Sequence, residues 1–208
     1  MKIVHVHPLS FPEIQVIRFE RFRDSRGYFT ENFRKSDFHQ HPEMRFLQDV
    51  EFLQCNESFS FAQTVRGLHF QWNPFIGKLV RTVFGHMIDL ILDIRKGSAT
   101  FGKIIAYDMP ASTDRTYSEW IWLPPGFAHG NFFLKETLIE YFCSGEYNPS
   151  CEASISPLAR DIDWSLCDPD LKRLFQDTIF HNPRISEKDK NGFTVDEWKQ
   201  NPHSDKFL

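Results

Sequence analysis

The most regular pattern in the chain lies at Met87–Arg95, where Ile88, Leu90, Leu92 and Ile94 alternate with Met87, Asp89, Ile91, Asp93 and Arg95. Period two puts the aliphatic set on one side of an extended backbone, so the spacing predicts a half-buried strand. Shorter runs of the same kind recur at Val16–Phe22, Gly27–Phe33, Phe61–Gln71, Lys78–Phe84, Phe101–Met109, Glu119–Leu123, Gly130–Leu134 and Leu138–Ser144. Turn-forming stretches such as Phe84-Gly-His86, Arg95-Lys-Gly-Ser98, Pro110-Ala-Ser-Thr-Asp114 and Pro124-Pro-Gly126 separate them. Many short strands without a long helical period predict an all-β sandwich or barrel. Helical signals are confined to Ser36–Asp49 and Asp168–Gln176. In the second, Asp168 is a candidate N-cap, Pro169 takes the first helical position, and Leu171, Leu174 and Phe175 form an apolar stripe. The polar stretch after Asn182 is expected to wrap the surface irregularly. With no internal repeat and no linker, one domain is expected over residues 1–208, carrying a helical insertion near 168–176 and a polar C-terminal tail.

Composition narrows this picture. Hydrophobic residues make up 41% of the 208 and charged residues 25%, which excludes disordered, collagen-like and low-complexity classes. Twenty-two phenylalanines reinforce the β reading, because aromatic side chains suit pleated, half-buried surfaces. A net charge of −4 supplies no basic field for a nucleic-acid backbone or an anionic membrane, so an anionic ligand needs a local pocket. The most apolar run, Met87–Ile94, carries two aspartates and is far too short to span a bilayer. The N-terminal stretch lacks the small-residue cleavage site of a secretory signal, so a cytoplasmic protein is expected. Cys55, Cys143, Cys151 and Cys167 show no C-x-x-C spacing and are expected as reduced, largely buried thiols.

Three segments offer chemistry. Thr64-Val-Arg-Gly-Leu-His-Phe-Gln71 puts a guanidinium, a glycine and an imidazole close together on a predicted strand. Strict alternation would send Arg66 and His69 to opposite faces; a bulge at Gly67 would turn both toward one cavity. Leu123-Pro-Pro-Gly-Phe-Ala-His-Gly130 is a turn that ends one strand and starts the next, with His129 at its mouth. Tyr141-Phe-Cys-Ser-Gly-Glu-Tyr147 places a phenol in step with Ile139 and Cys143, either as a packed core tyrosine or as a proton donor. Metal ligation needs several histidines converging with a carboxylate, yet His69 is followed by Phe70 and Gln71 rather than a second histidine. The His5/His7 pair lies at a start expected to fray and His39/His41 in a polar, helical patch, and both are read as solvated surface pairs. No metal and no cofactor are expected.

In family order, these segments resemble the dTDP-4-dehydrorhamnose 3,5-epimerases, metal-independent cupins acting on nucleotide-linked 4-keto-6-deoxy sugars. The resemblance runs from Phe22 to Asp189. It rests on Asp24-Ser-Arg-Gly-Tyr-Phe-Thr-Glu31, Gln54-Cys-Asn-Glu-Ser58, Val65–Gln71, Gly77-Lys-Leu-Val-Arg81, Asp93–Gly102, Pro125–Gly130, Tyr141 with Tyr147, Asp161-Ile-Asp-Trp164 and Ser186-Glu-Lys-Asp189. It implies a cupin jelly roll, a nucleotide-sugar substrate and a homodimer that exchanges N-terminal strands between subunits. Carried over by position, His69 is the implied general base, Asp189 its orienting carboxylate, Lys78 the enolate stabiliser and Tyr141 the acid on the opposite face. Arg26 and Arg66 fall where the family contacts the diphosphate, and Phe29, Glu31, Gln54, Asn56, His129 and Tyr147 where it lines the sugar and nucleotide pocket.

The implied reaction is epimerisation at C3, C5 or both, first of dTDP-4-keto-6-deoxyglucose. A C3-only enzyme or one acting on another nucleotide sugar is the alternative, followed by a non-catalytic sugar-binding cupin and a metal-dependent cupin. Four departures from the family pattern bear on the choice. They are the apolar loop Trp72–Gly77, the stretch Glu152-Ala-Ser-Ile-Ser-Pro157 after Cys151, the insertion after Trp164, and the tail beyond Asp189, which makes Asp189 the least anchored of the assigned residues.

Overall fold

The structure, a computed structural model, describes residues 2–208. Its strands are β1 (Ile3–Pro8), β2 (Gln15–Glu20), β3 (Phe22–Asp24), β4 (Gly27–Phe29), β5 (Gln54–Ser60), β6 (Thr64–Gln71) and β7 (Lys78–Phe84). They continue as β8 (His86–Asp93), β9 (Ile104–Pro110), β10 (Tyr117–Leu123), β11 (Phe127–Phe133), β12 (Thr137–Cys143) and β13 (Glu152–Ser154). The helices are α1 (Lys35–Gln40), α2 (Pro169–Phe180), α3 (Glu187–Lys190) and α4 (Val195–Gln200). Two antiparallel sheets face each other, one ordered β1-β2-β10-β7-β12-β5 and the other β13-β6-β11-β8-β9, while β3 and β4 form a separate hairpin. This is the all-β cupin jelly roll expected from the pattern of short strands. Among the described residues no helix is long and apolar enough to cross a membrane.

The core is layered. Val16, Val80, Met87, Ile91, Ile121, Phe127 and Phe133 fill the space between the sheets. Behind the five-stranded sheet, Leu68, Phe70, Leu90 and Phe132 pack against Phe175 of α2, Trp198 of α4 and Phe207. Behind the six-stranded sheet, Phe19, Leu79 and Trp120 meet Phe38 and Met44 from α1 and the 3-10 turn after it. Each sheet therefore has apolar cover on its outer face as well as its inner one.

That layering corrects the half-buried reading of Met87–Arg95. Strand β8 is hydrogen-bonded on both edges by β9 and β11 and buried on both faces, Asp89 and Asp93 included. Odd positions face the inter-sheet layer and even positions the helical cover, so the alternation reflects two cores rather than core against water. The N-terminus also differs from expectation: rather than fraying, β1 pairs antiparallel with β2, with one register shift between Ile3 and His5, and His5 and His7 touch along it. Strands β1, β5 and β13 carry little periodic signal and were not expected. The tail after Asn182 is likewise no loose wrap, since Trp198, Ser204 and Phe207 are buried. Asp168 caps α2 as anticipated, accepting from the N–H groups of Asp170 and Leu171, and the helix runs one turn past Gln176. Of the cysteines, Cys143 and Cys167 are buried whereas Cys55 is exposed.

Asp93 shows what a charge needs inside such a core. It accepts hydrogen bonds from the Arg95 guanidinium at 2.8 and 2.9 Å, the Ser98 hydroxyl at 2.7 Å and the Thr100 hydroxyl at 2.6 Å. Burial alone would raise its pKa, but these donors hold it below the usual carboxylate value. We expect Asp93→Ala, which strands all of these donors, to cost about 3–5 kcal/mol in urea unfolding. Because the folded pKa is depressed, the contribution is complete above the unfolded value of about 3.9 and disappears as pH falls through the folded value. Acidification through that range should therefore cost the wild type more stability than Asp93→Ala.

Candidate active site

Between the sheets a cavity of about 580 Å³ opens, walled by His69, Lys78, His129 and Tyr141, with Gln54, Asn56 and Tyr147 toward its mouth. A smaller lobe of about 190 Å³ shares His69, Lys78, His129 and Tyr141 and adds Arg66 and Asn131. His69 and His129 come from the five-stranded sheet, Lys78 and Tyr141 from the six-stranded one, so the groups converge from opposite walls.

The alignment of Arg66 with His69 depends on a bulge. His129 pairs with His69 but Asn131 pairs with Arg66, so three steps on β6 oppose two on β11. The extra residue is accommodated around Gly67, whose φ is +107°. A Cβ there would lie 2.5 Å from the Gly130 Cα and 2.8 Å from the His129 carbonyl oxygen, so the crossing needs glycine. On either side of the bulge, Val65 and Leu68 both face the helical cover, leaving Arg66 and His69 on the cavity side.

His69 Nε2 lies 2.7 Å from Asp189 Oδ1, and the Gly67 N–H donates to the other carboxylate oxygen at 3.3 Å. A carboxylate can only accept, so Nε2 carries the hydrogen and Nδ1 keeps its lone pair. Burial opposes ionisation of Asp189, but the hydrogen bond and charge of His69, with the Gly67 and Ser186 donors, hold its pKa below the ordinary value. The residue reaches His69 because the chain after α2 is laid beside β6: the Arg184 N–H donates to the Gln63 carbonyl and the Val65 N–H to the Arg184 carbonyl. Ser186 then caps α3, accepting from the Asp189 N–H at 3.1 Å.

A second pair lies one strand over. His129 Nε2 is 2.6 Å from Asp89 Oδ1, with both residues buried. Burial pushes the His129 pKa down; Asp89 works against this, and the nearby Lys78 and His69 add to it. The imidazole is thus held neutral at pH 7. Lys78 is lowered for the same reason, burial in the cavity wall, only partly countered by Cys143, Glu152 and Asp89. Burial raises the Tyr141 phenol, while its hydrogen bond to Asn56 pulls the other way. A raised phenol keeps its proton at neutral pH and has one to give.

The other expected residues divide in two. Gln54, Asn56, His129 and Tyr147 line the cavity; the Gln54 side chain donates to the Asn56 side-chain oxygen Oδ1 and accepts from the Tyr147 N–H, both at 2.9 Å. Arg66 sits at the lobe, anchored to the Ser60 hydroxyl at 2.9 Å. Arg26, Phe29 and Glu31 are not brought there. Arg26 pairs with Asp24 at the tip of the β3–β4 hairpin, Phe29 is 67% exposed, and Glu31 binds Arg34. Sequence reasoning missed Asp89, Asn131, Cys143 and Glu152 at the site. Asp89 was open to detection, because a carboxylate in an apolar strand run must find a partner.

Three comparisons bear on this geometry. The sequence profile of the family described as dTDP-4-dehydrorhamnose 3,5-epimerase matches residues 8–197. The chain belongs to that family. Among relatives, the dTDP-4-dehydrorhamnose 3,5-epimerase of Shigella flexneri is 34% identical over 193 residues, covering 91% of this chain and 94% of its own. That of Sinorhizobium fredii is 42% identical over 149 residues, 70% of this chain and 71% of its own. Among solved structures, a dTDP-6-deoxy-D-glucose-3,5-epimerase from Legionella pneumophila in complex with dTDP-4-keto-L-rhamnose superposes with a TM-score of 0.76. It is 28% identical, over 92% of this chain and 93% of that one. A 3'-monoepimerase from Streptomyces bikiniensis, in complex with dTDP-quinovose, also gives 0.76, at 27% identity over 93% and 89%.

Gly67→Ala tests the bulge. A methyl there meets backbone on both sides at a φ that side chains avoid, so we expect a loss of about 3 kcal/mol in urea unfolding. In the fraction that folds, His69 and Asp189 should separate, read as a shifted imidazole proton signal in NMR.

Proposed function

We propose that this protein is an isomerase that inverts a 4-keto-6-deoxy sugar carried on dTDP, at C3 and C5, with dTDP-4-keto-6-deoxyglucose as the substrate. The observation that carries the reading is the convergence of the His69–Asp189 pair, Lys78 and Tyr141 on one cavity from two facing sheets.

A hydrogen on a carbon next to a ketone is acidic because the resulting anion spreads onto the carbonyl oxygen. Nδ1 of His69 takes that hydrogen, and Asp189 stabilises the imidazolium through Nε2. Lys78 faces the developing oxyanion with its ammonium, and the half-buried site strengthens that attraction. Tyr141, on the opposite wall, returns a proton to the other face of the carbon, which inverts the centre. His129, held neutral with its Nε2 hydrogen on Asp89, presents Nδ1 as an acceptor for a sugar hydroxyl and adds no second positive charge beside Lys78. Arg66 offers a planar donor fork to the diphosphate.

Inversion at a single centre is the second reading, favoured by the likeness to a 3'-monoepimerase. Incubation with dTDP-4-keto-6-deoxyglucose in deuterated buffer separates the two: two deuterons per sugar for the double epimerase, one for the single. His69→Ala should abolish wash-in, and exchange at the wild-type rate in that variant would remove the base assignment. Tyr141→Phe keeps the ring but not the donor, so exchange with retention should persist while net inversion falls about 100-fold or more.

The placement of Arg26 and Phe29 supports a homodimer as part of this proposal. On an exposed hairpin outside the cavity, they are free to complete the site of a second copy, the contact that the family resemblance implies. Light scattering at micromolar concentration should give twice the chain mass. In that case Arg26→Ala should raise KM for the nucleotide sugar while leaving the cavity of its own chain intact.

A further inference from the structure

The family profile ends at residue 197, yet the next eleven residues hold Trp198, Ser204 and Phe207 in buried positions. They lie against the loop 72–77, which joins the base-bearing strand to the lysine-bearing strand. The His203 imidazole stacks on the Trp72 indole with ring centroids 4.4 Å apart and planes 16° from parallel, and Trp198 stacks on the same indole at 6.4 Å. Phe207 meets Phe75 edge-on at 5.2 Å and Phe70, the residue after His69, at 5.8 Å. The Lys96 N–H donates to the Phe207 carbonyl at 2.7 Å and the Lys96 ammonium pairs with Asp205, so the end of the tail is itself pinned to the β8–β9 turn.

The other side of the gripped loop is cavity wall. Ile76 lines the cavity, and the Gly77 N–H donates to the Ser144 hydroxyl one residue before Lys78. The Gln71 side chain donates to the Pro74 and Glu146 carbonyls and accepts from the Asn148 N–H, which ties the loop to the segment that carries Tyr147. A shift of the loop is therefore felt at both Ile76 and Tyr147.

We propose that residues 198–208 form a positioning clamp: through Trp72 and Phe75 they hold loop 72–77 as a rigid wall of the sugar cavity and set how tightly the nucleotide sugar is held. The reacting groups His69, Lys78, Tyr141 and Asp189 all lie outside the clamp. Its loss therefore affects the wall before the chemistry, and the entropy of ordering the loop is charged to binding. The sugar readout rests on the function proposed above; the mobility of the loop does not.

The test uses the full chain with His203→Ala, which removes an exposed ring from the stack, and Phe207→Ala, with Phe207→Leu as the conservative partner. Hydrogen exchange followed by mass spectrometry reads backbone protection of residues 72–77, and steady-state kinetics read KM and kcat for dTDP-4-keto-6-deoxyglucose. We expect exchange in 72–77 to quicken about fivefold or more in both alanine variants, with β8 peptides unchanged. KM should rise about threefold or more while kcat stays within about twofold, and Phe207→Leu should recover most of both effects. Unchanged protection of 72–77, or a matching fall in kcat with KM constant, would overturn the clamp. Should the wild type itself fail to turn over the sugar, the proposed function fails, and protection of the loop alone still decides whether the tail holds it.

Discussion

Two glycine backbones crossing at van der Waals distance, Gly67 on β6 and Gly130 on β11, set the geometry on which the candidate site depends. Neither position has room for a Cβ: one added at Gly130 would lie 2.4 Å from the Arg66 carbonyl oxygen. The contact lets β6 take an extra residue without losing its pairing to β11, so Arg66 and His69 share a face that simple alternation would deny them. It also turns the Gly67 N–H out of the ladder and toward Asp189. One local irregularity thus aims the imidazole, supplies a donor to its carboxylate and places a guanidinium beside both.

Around that irregularity the inter-sheet layer carries more charge than an apolar core tolerates unpaired. His69 with Asp189 and His129 with Asp89 are each held within 2.7 Å, and Lys78 stands among them. The arrangement is tenable because both sheets are covered on their outer faces, which leaves enough apolar burial elsewhere to offset the desolvation. Burial, set against the partners each group finds, gives them separate characters. Asp189 stays ionised, His129 stays neutral, and Tyr141 keeps its proton. Three different protonation habits in one cavity are what proton abstraction on one face and delivery on the other require.

The apolar loop 72–77 illustrates how a sequence oddity can have a partner far along the chain. Trp72, Phe75 and Ile76 stood out as unusually apolar for a pocket edge. Only Ile76 faces the cavity, while the two aromatic rings face the tail. The tail in turn read as polar and irregular because its buried apolar residues, Val195, Trp198 and Phe207, are few among many polar neighbours. The loop and the tail account for each other, which neither could do alone.

Much of the fold and the chemistry was legible in one dimension. Period-two runs marked most strands, Asp168 with Pro169 marked the start of α2, and the ordered motifs around His69, Lys78 and Tyr141 carried the family. The glycine in Thr64–Gln71 even suggested the bulge. Periodicity, however, is a local property that reports which residues share a face and not what covers that face, so β8 looked half-buried when it divides two cores. Pairing is non-local: His69 and Asp189 are 120 positions apart, joined only because Arg184 and Ser186 lay the returning chain beside β6. The same limit applies to Arg26 and Phe29, whose motif points to the site while the folded chain leaves them on an outer hairpin. Residue type and spacing determined which groups were available. Strand pairing, the close approach of two glycines and the burial of paired charges decided which of them meet.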